Sequence, residues 1–250
     1  MSECEIFSNL KVPCGSKIVI RIDGRNFSQL SQRLEFKKPY DDDFADKMVQ
    51  TSIDFFKEFN PLFIYTFSDE MNILLADIPF SGRIEKLNSV FSSFISGAFT
   101  RTICNDLKSS NLNSSVWQSL KPISFDSRLI PLSMGQVVEY FQNRQGEAWR
   151  NCLNGYAYWT LRQDYKKEKA IEILRGKKSK DIHELLFNKG INVAEVPSWQ
   201  RRGIGIYKKE TEVEGFNPIS SKKVTSKRFR LFADRNLPIF DTVFFNSLKI

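Results

Sequence analysis

Two hydrophobic periods alternate along the first half of the chain. "KIVIRID" (17–23) puts Ile18, Ile20 and Ile22 on one side and Val19, Arg21 and Asp23 on the other, the period of a β-strand. From 41 to 59, "DDDFADKMVQTSIDFFKEF" shifts to helical spacing. Phe44, Met48, Phe55 and Phe59, with Ala45, Val49, Ile53 and Phe56, make one apolar face. Acids crowd the first turn, where the helix dipole favours them, and Pro61 stops the helix. "LFIYTF" (62–67) reads as a buried strand and "MNILLADI" (71–78) as its return strand in a hairpin. Pro79, Ser81 and Gly82 mark the next turn. A long helix is predicted over about 83–105, with Ile84, Leu87, Phe91, Phe94, Ala98 and Phe99 as its stripe.

With a further strand in "ISFDSRLIP" (123–131), the order is β-α-β-β-α-β, an α+β ferredoxin-like sheet of the split βαβ type. Two helices are predicted at about 134–146 and 147–163. A charged, partly helical region follows at 164–200, then a strand from Arg202 to Tyr207 and a basic tail at 222–235. The expected organisation is a catalytic unit over 1–132 and an extension over 133–250 packed on it as one compact body.

Composition narrows the class. Of the 250 residues, 41% are hydrophobic and 22 are Phe, enough for a packed core. The net charge of +8 suits a polyanionic partner such as a nucleic acid or nucleotide, or else a lysine-rich solvated surface. The runs "KKSK" and "KKVTSKRFR" carry the same two readings. Four cysteines without a CxxC pair form neither a zinc pattern nor a disulfide framework. No apolar run reaches the roughly 18 residues of a membrane span, and "MSECEIF" does not resemble a signal peptide. A reduced, cytoplasmic protein without a membrane partner is expected. The single histidine, His183, reads as a helix-surface residue, which demotes Ser-His-Asp and His-metal chemistry.

The candidate chemistry lies in two acids. Asp23 ends the first strand and Asp69 precedes the third, 46 residues later. In a ferredoxin-like sheet these strands are adjacent and antiparallel, so the two carboxylates meet at one edge. Like charges at close range repel, and a divalent cation relieves that. Mg²⁺ takes one or two carboxylates plus water and phosphate oxygens, and two such ions about 3.5–4 Å apart clamp an in-line phosphoryl transfer. Gly24, lacking a side chain, leaves its carbonyl open to a metal. Lys38 lies in the following loop, and Arg83 and Lys86 share a helix face three residues apart. The alternative for each acid is an ordinary turn residue.

"RIDGRNF", "KKP", "SDE" and "GRIEKL", with "FDSR" (125–128), "EAWRNCLNGYAYW" (147–159) and "PSWQRRG" (197–203), resemble the tRNA-histidine guanylyltransferase superfamily over nearly the whole chain. These are reverse, 3′-to-5′ nucleotide polymerases with a palm like that of ordinary polymerases and nucleotidyl cyclases. Members that add guanosine to histidine tRNA carry His-Ile-Asn-Asn-Leu-Tyr-Asn. Here "WRNCLNG" (149–155) has Trp149 at the histidine and keeps only Asn151 and Leu153. The chain is therefore similar to the archaeal and bacterial guanylyltransferase-like branch, which resembles a polymerase repairing truncated tRNA 5′ ends.

The resemblance implies roles by position. Asp23, the Gly24 carbonyl and Asp69 would hold two Mg²⁺ ions, with Glu70 supporting the catalytic acids. Arg25, Asn26, Phe27, Lys38, Ser68, Arg83 and Lys86 would bind nucleotide and triphosphate, and Arg150, Asn151 and Asn154 would lie near the RNA 5′ end. ATP or GTP would activate that end before the 3′-hydroxyl of an incoming NTP attacks it. The implied partners are the tRNA acceptor stem, ATP, GTP and other NTPs, and copies of the chain in a homotetramer built as a dimer of dimers. Guanosine addition at position −1 of histidine tRNA, a palm-type nucleotide enzyme without RNA, and a non-catalytic RNA-binding module are the alternatives. Trp149, Tyr156, Tyr158 and Trp159 could stack bases, but the spacing of Tyr158 and Trp159 reads as core.

Overall fold

A computed structural model describes residues 5–109, 120–217, 222–248 and 250. The expected strand, helix and hairpin order holds through the first half, except that a short helix stands where only a loop was expected after the first strand. Strand β1 (Lys17–Gly24) leads into a short helix α1 (Phe27–Arg33) and then α2 (Asp42–Phe59), β2 (Phe63–Phe67), β3 (Glu70–Leu74), α3 (Ile84–Ser109) and β4 (Phe125–Leu132). Helix α2 starts where Asp41 accepts a hydrogen bond from the Phe44 amide at 2.9 Å, and it ends at Asn60 in the left-handed region before Pro61.

The second half supplies α4 (Met134–Asp164), α5 (Lys167–Leu174), α6 (Ser179–Asn188), α7 (Ser198–Arg202), β5 (Ile204–Asn217), β6 (Lys222–Asp234) and α8 (Thr242–Ser247). One antiparallel sheet runs through both halves in the order β4-β1-β3-β2-β5-β6. Strand β1 lies between β3 and β4, as the topology argument requires.

Strand alternation divides the core between the two faces of the sheet. Ile18, Ile20, Ile22, Met71 and Ile73 pack under α2 and α3, where Phe55 meets Phe91 at 5.1 Å and Phe27 meets Phe99 at 5.3 Å. Val19, Phe63, Tyr65 and Leu74 pack on the other face with Phe141 of α4 and Phe244 and Phe245 of α8. Among the described residues no helix is long and apolar enough to cross a membrane.

The structure corrects four expectations. The helices predicted at 134–146 and 147–163 are one 31-residue helix. Gly146 lies at the predicted boundary, but buried Val137, Phe141, Gln145, Ala148 and Cys152 keep one helical spacing across it, and tertiary packing overrides the local cost of glycine. The strand expected to end at Tyr207 continues to Asn217, and the basic tail is strand β6, which pairs with β5 along its length. The return strand of the hairpin ends at Leu74 rather than 78. Trp159, read as core, is 37% exposed.

Candidate active site

The two acids meet at the end of the sheet where β1 finishes and β3 begins. Register places Asp23 opposite Glu70, and the Gly24 amide donates to the Asp69 carbonyl at 3.2 Å. Ser68 and Asp69 are the two residues of the β2–β3 hairpin turn. Ser68 takes a left-handed φ of 51°, and its hydroxyl donates to Asp69 Oδ1 at 2.9 Å. Burial pushes the Asp69 carboxyl above the ordinary carboxylate range, against the lowering effect of the Ser68 hydroxyl and its own amide. The charges of Asp23 and Glu70 push it further up. Among the described residues no cation forms an ion pair with Asp23 or Asp69.

Glu70 has a different surrounding. Arg144 of α4 donates to it twice, Nε to Oε1 at 2.9 Å and Nη2 to Oε2 at 2.6 Å, and the Asn72 amide adds a third bond at 2.7 Å. Tyr140 in turn donates to Asn72 Oδ1 at 2.6 Å. The Arg144 guanidinium also lies 5.5 Å from the centre of the Phe67 ring. Glu70 is thus a strut between β3 and α4.

A cleft of about 310 Å³ opens beside Asp69. Phe27, Phe36, Phe44 and Met48 form its apolar part, while Lys38, Ser68 and Asp69 bring polar groups to it. Asn151 of α4 and Trp199 and Gln200 of α7 complete the wall. Lys38 donates to Ser31 Oγ; burial lowers its pKa, against the attraction of Asp41 and Asp69. Gly24 is required here by close approach: a Cβ would stand 2.4–2.7 Å from the Phe27 ring, which is itself wedged against Phe99 and Phe125. That packing gives a second reason for the glycine beside the carbonyl access read from sequence.

Of the expected site residues, the cleft gathers Phe27, Lys38, Ser68, Asp69 and Asn151. Arg25 and Asn26 line a separate hollow of about 210 Å³ with Arg33 and Lys121, on the far side of Phe27. Arg83, just before α3, pairs through its backbone with Lys11, Lys86 lies in the first turn of α3, and neither lines the cleft. Arg150 pairs with Glu147, and Asn154 donates to the Arg150 carbonyl at 2.8 Å; neither lines the cleft.

Sequence reasoning missed Arg144, whose contact with Glu70 spans 74 residues and leaves no local pattern. It also missed a row on one sheet face. Register sets Asp126 beside Asp23, and Arg128 beside Arg21, one step further along the same face. "FDSR" held this signal, since two strands alternating Asp and Arg match only if they pair. Tyr40, which meets Trp199 edge to face at 5.7 Å, was missed, and Trp199 was visible only as a motif member.

The donor set suits a hard divalent cation. Asp23 and Asp69 offer oxygens outside any ion pair among the described residues, and burial disfavours the charge on Asp69, so an added positive charge relieves both. Among the described residues no group of three or more His, Cys, Asp or Glu could cage a metal. An ion here would draw further ligands from backbone, water and substrate, the habit of Mg²⁺ rather than Zn²⁺.

Comparison with known proteins bears on the same chain. The family model for tRNAHis guanylyltransferase matches residues 1–133, and the Thg1 C terminal domain model matches residues 135–237. The tRNA(His) guanylyltransferase 1 of Arabidopsis thaliana is 29% identical over 201 residues, 78% of this chain but 34% of that protein. A probable tRNA(His) guanylyltransferase of Drosophila melanogaster is 29% identical over 203 residues, 77% of this chain and 67% of that one. The chain therefore spans about a third of the Arabidopsis protein's length. In fold it resembles the tRNA(His) guanylyltransferase of Saccharomyces cerevisiae, with a TM-score of 0.72, 23% identity and coverage of 82% and 90% of the two chains. It also resembles a bacterial Thg1-like protein in complex with GTP, with a TM-score of 0.72, 22% identity and coverage of 100% and 95%. The chain belongs to the tRNAHis guanylyltransferase family.

Proposed function

We propose that the chain is a tRNA nucleotidyltransferase that extends truncated tRNA 5′ ends in the 3′-to-5′ direction, directed by the opposite strand. The observation that carries this is the convergence of Asp23 and Asp69 beside a base-sized cleft holding Lys38. Relatives named as tRNA(His) guanylyltransferases, and fold neighbours solved with ATP and GTP, support nucleotide addition to tRNA. Trp149 in place of the family's histidine favours templated repair over guanosine addition at position −1. In this reading residues 1–132 are a polymerase-type palm in the order β4-β1-β3-β2, residues 133–250 support it and face RNA, and four copies assemble as a dimer of dimers.

The reaction has two displacements. A 5′-phosphate oxygen of the RNA attacks the α-phosphorus of ATP or GTP, and pyrophosphate leaves. The 3′-hydroxyl of an incoming NTP then attacks the activated 5′-phosphate, and AMP or GMP leaves. The apolar part of the cleft takes the activating base, and Lys38 and Ser68 lie where its phosphates turn towards Asp69. Asp23, Asp69 and the Gly24 carbonyl would hold two Mg²⁺, which when bound neutralise charge on the reacting phosphates. Arg21 and Arg128, cations side by side on the face that carries Asp23, suit the phosphates of the incoming nucleotide. Basic surface holds the acceptor stem through its backbone, leaving sequence to base pairing.

The test is template dependence. 5′-truncated tRNAs with Mg²⁺ and the four labelled nucleotides should gain the nucleotide complementary to the opposing base, and changing that base should change the label. Guanosine added to intact histidine tRNA whatever base opposes it would favour the alternative.

A further inference from the structure

Trp159 occupies a place that its hydrophobic size does not explain. It lies on α4 two turns beyond Asn151 and is 37% exposed, backed edge to face by Tyr158 at 5.2 Å. Two hollows, of about 580 and 340 Å³, share Trp159 and Lys38 in their walls. The larger runs along α1, past Ser28 and Gln32, to Lys167, with Glu35 also in its wall. The smaller runs past Pro39 and Tyr156 to Arg162. Lys38 also lines the cleft beside Asp69, so the surface is continuous from the paired acids to the indole. Both volumes fall in the roughly 300–1,000 Å³ range of small-ligand sites.

An exposed indole with three cations around it has the make-up of a single-strand nucleic-acid subsite. Every base presents a face that stacks on an aromatic ring, and lysine or arginine beside it takes the flanking phosphates. A membrane-facing or protein-docking patch would call for further exposed apolar side chains, whereas Phe36, Tyr156 and Ile191 in these walls are partly buried against the core and the rest of the lining is mainly serine, glutamine and charged groups.

We propose that Trp159 is a stacking platform for an unpaired nucleotide of the RNA strand opposite the 5′ end, with Lys38, Arg162 and Lys167 serving its phosphates. The inference rests on the 5′-end extension reading, because truncation of the 5′ end leaves such nucleotides unpaired beside the reacting phosphate. It assigns a preference for recessed 5′ ends to binding, before any chemistry.

The experiment measures Kd of the full chain, without nucleoside triphosphates, for an RNA duplex with a recessed 5′ end and for the blunt duplex of the same sequence. Wild type should bind the recessed RNA more tightly. Trp159→Leu, which keeps apolar bulk but removes the ring, should cut that preference roughly tenfold while blunt-end binding stays within about twofold. Trp159→Phe should keep most of it. As a readout that does not depend on folding of the leucine variant, recessed RNA should quench indole emission in wild type more than in Trp159→Phe. No preference in wild type, an unchanged preference in Trp159→Leu, or an equal loss on both RNAs overturns the proposal. A wild type that shows the Trp159-dependent preference yet extends no truncated tRNA instead removes the 5′-end extension reading and leaves the subsite standing.

Discussion

Arg144 and Glu70 form a two-pronged ion pair, at 2.9 and 2.6 Å, that fastens the start of β3 to the middle of α4. Both side chains are mostly buried, so each compensates the lost hydration of the other's charge. Arg144→Ala should therefore cost about 3 kcal/mol, because it strands a buried carboxylate. Arg144→Lys should recover less than half of that, since a lysine cannot match the fork. Urea unfolding of the three proteins checks this, and a cost under about 0.5 kcal/mol for Arg144→Ala would show the pair to be dispensable.

Asp69 ties stability to pH and to metal. Its folded pKa lies above the unfolded value, so the fold is spared any penalty below the ordinary aspartate range of about 3.9. The penalty grows as pH rises through the folded pKa. In EDTA, Asp69→Asn should melt at a higher temperature than wild type at neutral pH, and the gap should close on acidification. Mg²⁺ should raise the melting temperature of wild type but not of Asp69→Asn. Thermal melts with and without Mg²⁺ between pH 4 and 8, as an order-of-magnitude window around the carboxylate range, decide it; a variant less stable than wild type in EDTA would contradict a burial penalty on the Asp69 charge.

Gly203 carries a structural demand just before β5. Its φ is +73°, and a Cβ there would stand 2.4 Å from the Tyr65 ring and 2.8 Å from the Thr66 carbonyl. Strain and clash together should make Gly203→Ala cost about 2–4 kcal/mol. Because Thr66 is two residues from Ser68, turnover should fall as well; a melt and a rate on the same preparation test both.

Lys38→Ala should raise KM for the activating ATP or GTP about tenfold, the loss of one charge-assisted contact. The effect on KM for the incoming nucleotide should be smaller, since the paired Arg21 and Arg128, rather than Lys38, are assigned to its phosphates. Steady-state kinetics with 5′-monophosphate and 5′-triphosphate RNA separates the two, because triphosphate RNA needs no activation.

What could be read in the sequence followed from period and topology. Ile18, Ile20 and Ile22 alternate, and the phenylalanines of α2 and α3 recur at helical spacing, because each element buries one face. That pattern fixed the strand order, and the order brought Asp23 to Asp69. Strand β6 was hidden because its apolar alternation is short, Phe229, Leu231 and Ala233, and is masked by the exposed Lys227, Arg228 and Arg230, while backbone bonds to β5 hold its register. Arg144–Glu70 and the bonds of Gln145 to the Pro238 carbonyl and Phe240 amide were hidden for another reason: such contacts depend on α4 crossing the sheet as one unbroken helix.

The central claim is that Asp23 and Asp69 act as one site. Label incorporation into a 5′-truncated tRNA, measured with Mg²⁺ for wild type, Asp23→Ala and Asp69→Ala, tests it most directly. Wild type should incorporate the templated nucleotide, and each variant should fall by at least about a thousandfold, in the range lost when a transition-state charge loses its stabilisation, while remaining folded. Full incorporation by either variant would contradict the account.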